Sequence, residues 1–293
     1  MRDKSYLIKR HQLIKKIRNF FDLQGLLEVQ TATLLDTPTT DVYIDSVSSI
    51  INNDINSTVV RYLHTSPELE MKKLLSNGSG DIYQICQVFR DNEYGDNNFN
   101  EFTMLEYYRI GYDIHALMDD IINLLSAIGI DPKATKISYA EAFSNYGNID
   151  ILSIDFGDLK DIALGLGLST DFLWIEDLQM LLFAHLIEPK LKNLPVCFIY
   201  DYPESQSALA RVDGPVALRF EMYLGGIEIA NGYDELQDAD IYYERFLREN
   251  NKRVELGKKA HTLDNTFLTQ MQKTIPQCSG VAIGIDRLLQ HIS

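Results

Sequence analysis

Apolar residues recur at helical spacing near the N-terminus, where Leu13, Ile14, Ile17, Phe20 and Phe21 line one side of a segment that Gly25 ends. The same periodicity predicts helices over 6–23, 67–76, 115–128, 139–146, 158–166, 175–187, 238–256 and 265–273, with Ser138 and Glu141 forming a capping box for the fourth. Alternating or continuous β-branched and aromatic runs predict strands over 82–89, 102–110, 196–200, 217–223, 227–231 and 280–285. Between 45 and 61, Asn, Ser and Asp interleave with Ile and Val, which predicts a hairpin with an exposed turn. Helices flanking a mostly antiparallel sheet give an α+β fold class. No linker, repeat, low-complexity tract or long charge block divides the chain, so residues 1–293 are expected to form one domain.

Two hairpins carry candidate chemistry. In the first, Val88-Phe89-Arg90-Asp91-Asn92-Glu93 and Glu101-Phe102-Thr103-Met104-Leu105-Glu106-Tyr107-Tyr108-Arg109 flank a polar loop with Tyr94 to Asn100 at its tip. Alternation places Phe102, Met104, Glu106 and Tyr108 on one face. A carboxylate in that apolar face needs a partner, either Arg90 or Arg109 in a salt bridge or a cationic ligand. In the second, Gly225-Gly226 is a two-residue turn that sets Tyr223 opposite Glu228, with Glu221 diagonal to it on the same side. Two carboxylates on one face call for a Lys or Arg between them, or for a hard cation.

Charge narrows the partners. The 27 Lys and Arg against 42 Asp and Glu leave a net charge of −15, which repels a polyanion. The basic runs 4–18, 245–253 and Lys258-Lys259 are solvated helix faces or docks for an acidic protein. Cys86, Cys197 and Cys278 lie in strand-like apolar contexts without metal-ligand spacing and read as buried reduced thiols. No window approaches eighteen apolar residues, so no membrane association is expected and the location reads as cytoplasmic.

Near the C-terminus, Cys278-Ser279-Gly280-Val281-Ala282-Ile283-Gly284-Ile285-Asp286-Arg287 reads as a buried strand of small residues entering a helix, with Arg287 able to fork onto a phosphate. Together with the Phe89-Arg90 hairpin, His64-Thr65-Ser66-Pro67-Glu68-Leu69 and Gly226-Ile227-Glu228-Ile229-Ala230-Asn231-Gly232-Tyr233-Asp234-Glu235-Leu236, it resembles, in order, the motifs of class II aminoacyl-tRNA synthetases of the lysine-specific branch. The resemblance runs from about Ile8 to Leu289. Only a few residues precede the first helix, so the anticodon-binding barrel of a lysyl-tRNA synthetase is not expected. The arrangement is similar to that of the stand-alone elongation factor P (R)-β-lysine ligases, which resemble the synthetase catalytic core.

The resemblance implies ATP and Mg²⁺ as cofactors, adenylation of an amino acid, and transfer to the ε-amino group of a lysine on elongation factor P, in a homodimer. It implies that Arg90 and Arg287 are catalytic, holding the α-phosphate and the γ-phosphate. Asp91, Asn92, Phe102, Met222 and Gly284 would complete the ATP site, with Phe102 stacking on adenine, and Glu221 and Glu228 would carry the metal. Ser66, Pro67, Glu68, Glu106, Tyr108, Glu228, Asn231, Glu235 and Ala282 would bind the substrate: Glu68 the amino group, Asn231 the carboxylate, and Glu106, Tyr108 and Glu235 the distal ammonium. Ala282 stands where lysyl-tRNA synthetases have glycine, which favours β-lysine over α-lysine.

The chain departs from the family's pattern in four respects. Asn92 replaces a glutamate that contacts adenine, Asn98-Phe99-Asn100 replaces His-Asn-Pro, and Ala32 follows Glu28-Val29-Gln30-Thr31 where a proline is usual. The last helix stops at Ser293, shortly after Arg287. A lysine-activating enzyme that charges tRNA, and a non-catalytic paralogue that binds lysine or ATP, are the alternatives.

Overall fold

The chain divides into two compact units, one formed by Met1–Tyr112 with Glu235–Ser293 and the other by Asp113–Asp234. The computed structural model describes residues 3–93, 95, 99–130 and 133–291. In chain order, the first unit begins with α1 (Lys4–Gln24), β1 (Leu27–Glu28), β2 (Leu34–Leu35), β3 (Ser48–Asp54), β4 (Ser57–Leu63), α2 (Glu68–Ser76), β5 (Ile82–Phe89) and β6 (Glu101–Ile110). The second unit contains α3 (Ile114–Ile128), β7 (Ala134–Ser138), α4 (Tyr139–Gly147), α5 (Phe156–Gly165), α6 (Ile175–Leu182), α7 (Glu188–Leu191), β8 (Val196–Pro203), β9 (Val212–Asp213), β10 (Val216–Leu224) and β11 (Ile227–Asp234). The chain then returns to the first unit for α8 (Ala239–Glu255), α9 (Asn265–Met271), β12 (Cys278–Gly284) and α10 (Ile285–His291).

In the first unit, β1 runs parallel to β5, and β5, β6 and β12 follow antiparallel to one another. Helix α1 forms where the apolar period places it: Asp3 caps the start through a bond from the Tyr6 amide, and Gly25 ends it at φ 77°. Its buried residues, Leu13, Ile17 and Phe21, are four apart, and Phe21 packs on Tyr83 and Tyr107 at ring-centroid distances of 4.6 and 4.8 Å. One face of β6 is thus filled by Tyr107, which frees the opposite face, with Glu106 and Tyr108, for chemistry. The expected hairpin near 45–61 is β3 and β4, joined to β2 in a separate three-stranded sheet. The tip expected at Tyr94 to Asn100 lies partly outside the described residues, as do Asn98 and the last residue, Ser293.

In the second unit, β11, β10 and β8 are antiparallel and β7 joins β8 in parallel, while β9 pairs with β10. Its helices cover a core that includes Tyr139, Phe143, Leu178, Leu182, Ile199 and Tyr223. Both units are mixed, mostly antiparallel α+β structures, as the periodicity implied. The capping box of α4 is present, the Ser138 hydroxyl accepting from the Glu141 amide and the Glu141 carboxylate from the Ser138 amide.

Three differences from the sequence reading have physical causes. The expected helix over 175–187 is α6 followed by a π-helical turn, Phe183–Ile187, and then α7. Pro189 has no amide proton to give to a carbonyl one turn back, and the ladder widens just before it. Strand β7 falls between the helices expected over 115–128 and 139–146, where no strand is expected, because five residues are too few to show a period. Of the three thiols, Cys197 and Cys278 are buried but Cys86 is only half-buried, and burial raises Cys86 to about 11. Among the described residues, no helix is long and apolar enough to cross a membrane.

A cluster between α8 and the segment before β3 ties the first unit together. Arg253 donates to the Asp41 carbonyl at 2.6 Å and to the Asp45 carboxylate at 2.8 Å, and Lys258 joins Asp45 at 3.1 Å. Beside it, the Thr40 hydroxyl bonds to Glu249, whose carboxyl is raised to about 7 by burial, with Asp41 and Glu68 adding to the rise and Arg245 opposing it. A carboxyl whose folded value exceeds its unfolded one contributes stability that is full below about pH 4.3 and lost as pH rises through about 7. Glu249→Gln keeps the bond from Thr40 and removes the charge. Its thermal midpoint is expected to exceed that of the wild type by roughly 2–4 °C at pH 8, the scale of about 1 kcal/mol in a chain this size, and the gap is expected to close towards pH 5.

Candidate active site

The face of β6 opposite Tyr107 gathers acids that burial would otherwise forbid. Glu106 is 2% exposed and accepts from the Ser66 hydroxyl at 2.6 Å and from the Tyr108 hydroxyl at 2.6 Å. Neither arginine weighed from the sequence is its partner: Arg109 donates to Asp81 at 3.1 Å and to Gln24, and Arg90 lies over the Phe102 ring at 5.1 Å. Pro67 begins α2 without a side-chain cap, and Ser66 fills the role by accepting from the Glu68 amide at 3.0 Å. One hydroxyl therefore fixes both the helix start and a carboxylate.

Glu68 and Glu235 meet at Lys72, a residue the sequence reading passed over. Its Nζ lies 2.6 Å from Glu68 Oε1 and 2.6 Å from Glu235 Oε2, and its side chain is fully buried. Burial opposes the ammonium, but Glu235 and Glu68 prevail and hold it well above its ordinary value. Glu106 and Glu235 are both raised, each chiefly by burial. Glu68 adds to both, while Lys72 pulls both down. Opposite them, β12 places Ala282 against Glu106 and Gly280 against Tyr108. A Cβ at Gly280 would come within 2.4 Å of the Tyr108 ring and 2.6 Å of Glu235 Oε1, so only glycine leaves room for this packing.

The remaining expected residues of the first unit lie at the two ends of these strands. Arg90 leaves β5 with its Nε 3.4 Å from the Thr65 carbonyl, and its backbone pairs with Asn100. Asp91 bridges to Asp45 through the backbone, and exposed Asn92 adopts φ 59°, a conformation asparagine tolerates better than the glutamate usual there. Gly284 pairs with Met104 at the end of β12, where Arg287 enters α10 partly exposed. Asp286 ties this junction down by accepting from the Thr103 amide at 2.6 Å.

In the second unit the hairpin turn is as expected, with Gly225 and Gly226 at φ 55° and 83° and Tyr223 opposite Glu228. The ladder then shifts. Glu221 pairs with Asn231, Met222 with Ala230 and Tyr223 with Glu228, which leaves Ile229 as an extra residue, a β-bulge. Glu228 and Asn231, three apart, would face opposite ways in a regular strand, and the bulge turns them to the same side. Arg219 joins the set: it pairs with Glu221, donates to Asn231 Oδ1 at 3.2 Å and lies 4.5 Å from the Tyr202 ring. The other Glu221 oxygen accepts from Tyr223. Arg219 is thus a counter-charge to one member of the acidic pair, Glu221. Met222, expected at the nucleotide, is fully buried.

Comparison with known proteins fits this arrangement. The family described as class II tRNA synthetases (D, K and N) matches residues 2–293. The chain belongs to that family. Among curated relatives, the elongation factor P–(R)-β-lysine ligase of Pectobacterium atrosepticum is 39% identical over 291 residues, covering 97% of this chain and 89% of that protein. The ligases of that name from Vibrio cholerae and Hamiltonella defensa are 40% and 41% identical, each covering 97% of this chain and 90% of theirs.

Gly280→Ala tests the packing of this class II site without reference to any reaction. The added methyl group is expected to displace Tyr108 and Glu235 and to lower stability by about 1–3 kcal/mol in denaturant titration.

Proposed function

We propose that this chain is a ligase that activates (R)-β-lysine with ATP and attaches it to the ε-amino group of a lysine on elongation factor P. The observation that carries the reading is the set of three carboxylates, Glu68, Glu106 and Glu235, gathered around one buried ammonium in the first unit. A substrate with two ammonium groups suits such a surplus of acids, whereas a neutral amino acid would leave them unmatched. The curated relatives bear the name of that ligase over nearly the whole chain. In this reading, residues 1–293 act as one catalytic domain, in the cytoplasm and as a homodimer.

The first step is in-line attack of the amino acid carboxylate on the α-phosphorus of ATP, forming the acyl-adenylate and releasing pyrophosphate. The protein's part is to position the reactants and offset negative charge. Arg90 would hold the α-phosphate with the attacking carboxylate, and Arg287 the γ-phosphate. Asp91, Asn92, the Phe102 ring and the backbones of Met222 and Gly284 would hold the nucleotide. Ser66, Pro67 and Glu68 would receive the amino group near the carboxylate, Asn231 with Glu228 the carboxylate end, and Glu106, Tyr108 and Glu235 the distal ammonium. Ala282, opposite Glu106 on the neighbouring strand, would reshape the amino end of the substrate site by a methyl group and favour β-lysine. In the second step the target amine attacks the acyl carbon, an amide forms, AMP leaves and the amine gives up its proton.

Glu221 and Glu228 are hard oxygen donors on one strand pair, and Mg²⁺ is commonly held by one or two carboxylates with the remaining positions filled by phosphate and water. The Arg219 and Tyr223 bonds leave further lone pairs on Glu221, so the residues present fit the ion. Magnesium bound there would neutralise phosphate charge.

ATP–pyrophosphate exchange is expected with (R)-β-lysine, more weakly with (S)-β-lysine and α-lysine. Incubation with elongation factor P is expected to give a lysyl mass increase on that protein and none on tRNA. Exchange with none of the three amino acids removes the enzymatic reading, and transfer to tRNA alone replaces the protein acceptor. Glu106→Gln is expected to raise the KM for the amino acid by about tenfold or more, on the scale of 1.4 kcal/mol, with the KM for ATP little changed.

A further inference from the structure

We infer that Lys72 is a positioning residue for the amino acid substrate, the fixed counter-ion that keeps Glu68 and Glu235 aimed at a site that can take a diammonium ligand. The inference rests on the function proposed above. Lys72 sits four residues after Glu68 on α2, yet it turns inward instead of lying along the surface, and its side chain is fully buried. Its neighbour Lys73 does the ordinary thing, pairing part-exposed with Glu70 at 2.6 Å and Asp264 at 2.9 Å. The two lysines therefore differ in kind, although the sequence presents them side by side.

The groups around Lys72 come from four places. Glu68 faces it from α2 and Glu235 from the segment leading to α8, each at 2.6 Å. The Tyr242 ring of α8 lies 5.5 Å from Nζ. Glu106 of β6 is close enough for its charge to be eased by Lys72, and Tyr108 donates to Glu106 from the same strand. Three acids thus share one permanent cation. The surplus of acids is what a diammonium acid would match.

Without the Lys72 charge, the same burial would drive Glu106 and Glu235 to hold protons more tightly. An incoming ammonium would then have to expel those protons, weakening binding at neutral pH. Raising the pH removes them in advance and returns the affinity. Lys72 itself would touch the carboxylates and not the reacting atoms, so its loss would fall on amino acid binding.

Calorimetric binding of (R)-β-lysine, α-lysine and ATP to the full chain tests this without turnover. In Lys72→Met the Kd for (R)-β-lysine is expected to rise at least tenfold at pH 7, with the deficit narrowing towards pH 8.5 and the Kd for ATP changing less than twofold. Lys72→Gln, which keeps a polar end but no charge, is expected to behave alike and guards against a folding defect of the apolar variant. An unchanged Kd for (R)-β-lysine, a parallel rise for ATP, a deficit constant with pH, or failure of both variants to fold overturns the inference. Wild-type protein that binds neither amino acid would instead remove the proposed function and the inference with it, whereas wild-type binding matched by Lys72→Met removes the inference alone.

Discussion

Carboxylates taken out of water must be matched by donors or cations, and the first unit is arranged around that requirement. Glu106 lies in the middle of β6, where its neighbours on the strand are buried aromatic and aliphatic residues. Alternation puts Tyr108 beside it on the same face, the break before α2 offers Ser66, and the first turn of α2 brings Glu68 and Lys72 to the remaining acid, Glu235. Gly280 can then approach without a side chain. Removing any of these leaves a buried charge without its partner, which is more damaging than losing a surface ion pair.

The second unit meets the same difficulty with the same device. Glu221 and Tyr223 repeat the spacing of Glu106 and Tyr108: a glutamate followed two residues later by a tyrosine whose hydroxyl donates to it along one face of a strand. The difference lies in the cation. Glu221 is matched by Arg219 from its own strand, whose guanidinium also reaches Asn231 and the Gln206 carbonyl. An arginine with several fixed bonds is a rigid partner. The pair in the first unit is served by a lysine, a point charge on a longer flexible stem.

Much of this was legible in the sequence because period and punctuation agree. β5 spans the residues that its apolar run marks, Gly25 stops α1, and the Gly225-Gly226 turn fixes which residues face across the hairpin. The acidic cluster was also legible, since Glu106 in an apolar face demands a partner. Lys72 was not, because adjacent lysines on an amphipathic helix read as a solvated edge. The Glu68–Lys72 spacing was the available signal, but nothing local says which of Lys72 and Lys73 turns inward. Arg219 was missed for a related reason: its partners are two and twelve residues away, and Asn231 lies beyond a bulge that shifts the register set by the turn. Gly280 could be seen as small, but its neighbours Tyr108 and Glu235 lie far off in sequence.

The extra residue at Ile229 gives β11 two phases of in-and-out alternation, one on each side of the bulge. Up to Glu228 the side chains follow one phase, and from Ala230 onward they follow the other. The strand is therefore as sensitive to a change in count as to a change in side chain. Shortening it by one position there would turn Asn231 and Tyr233 inside out together, while every residue kept its chemical identity. For this strand, length is as much a carrier of specificity as composition.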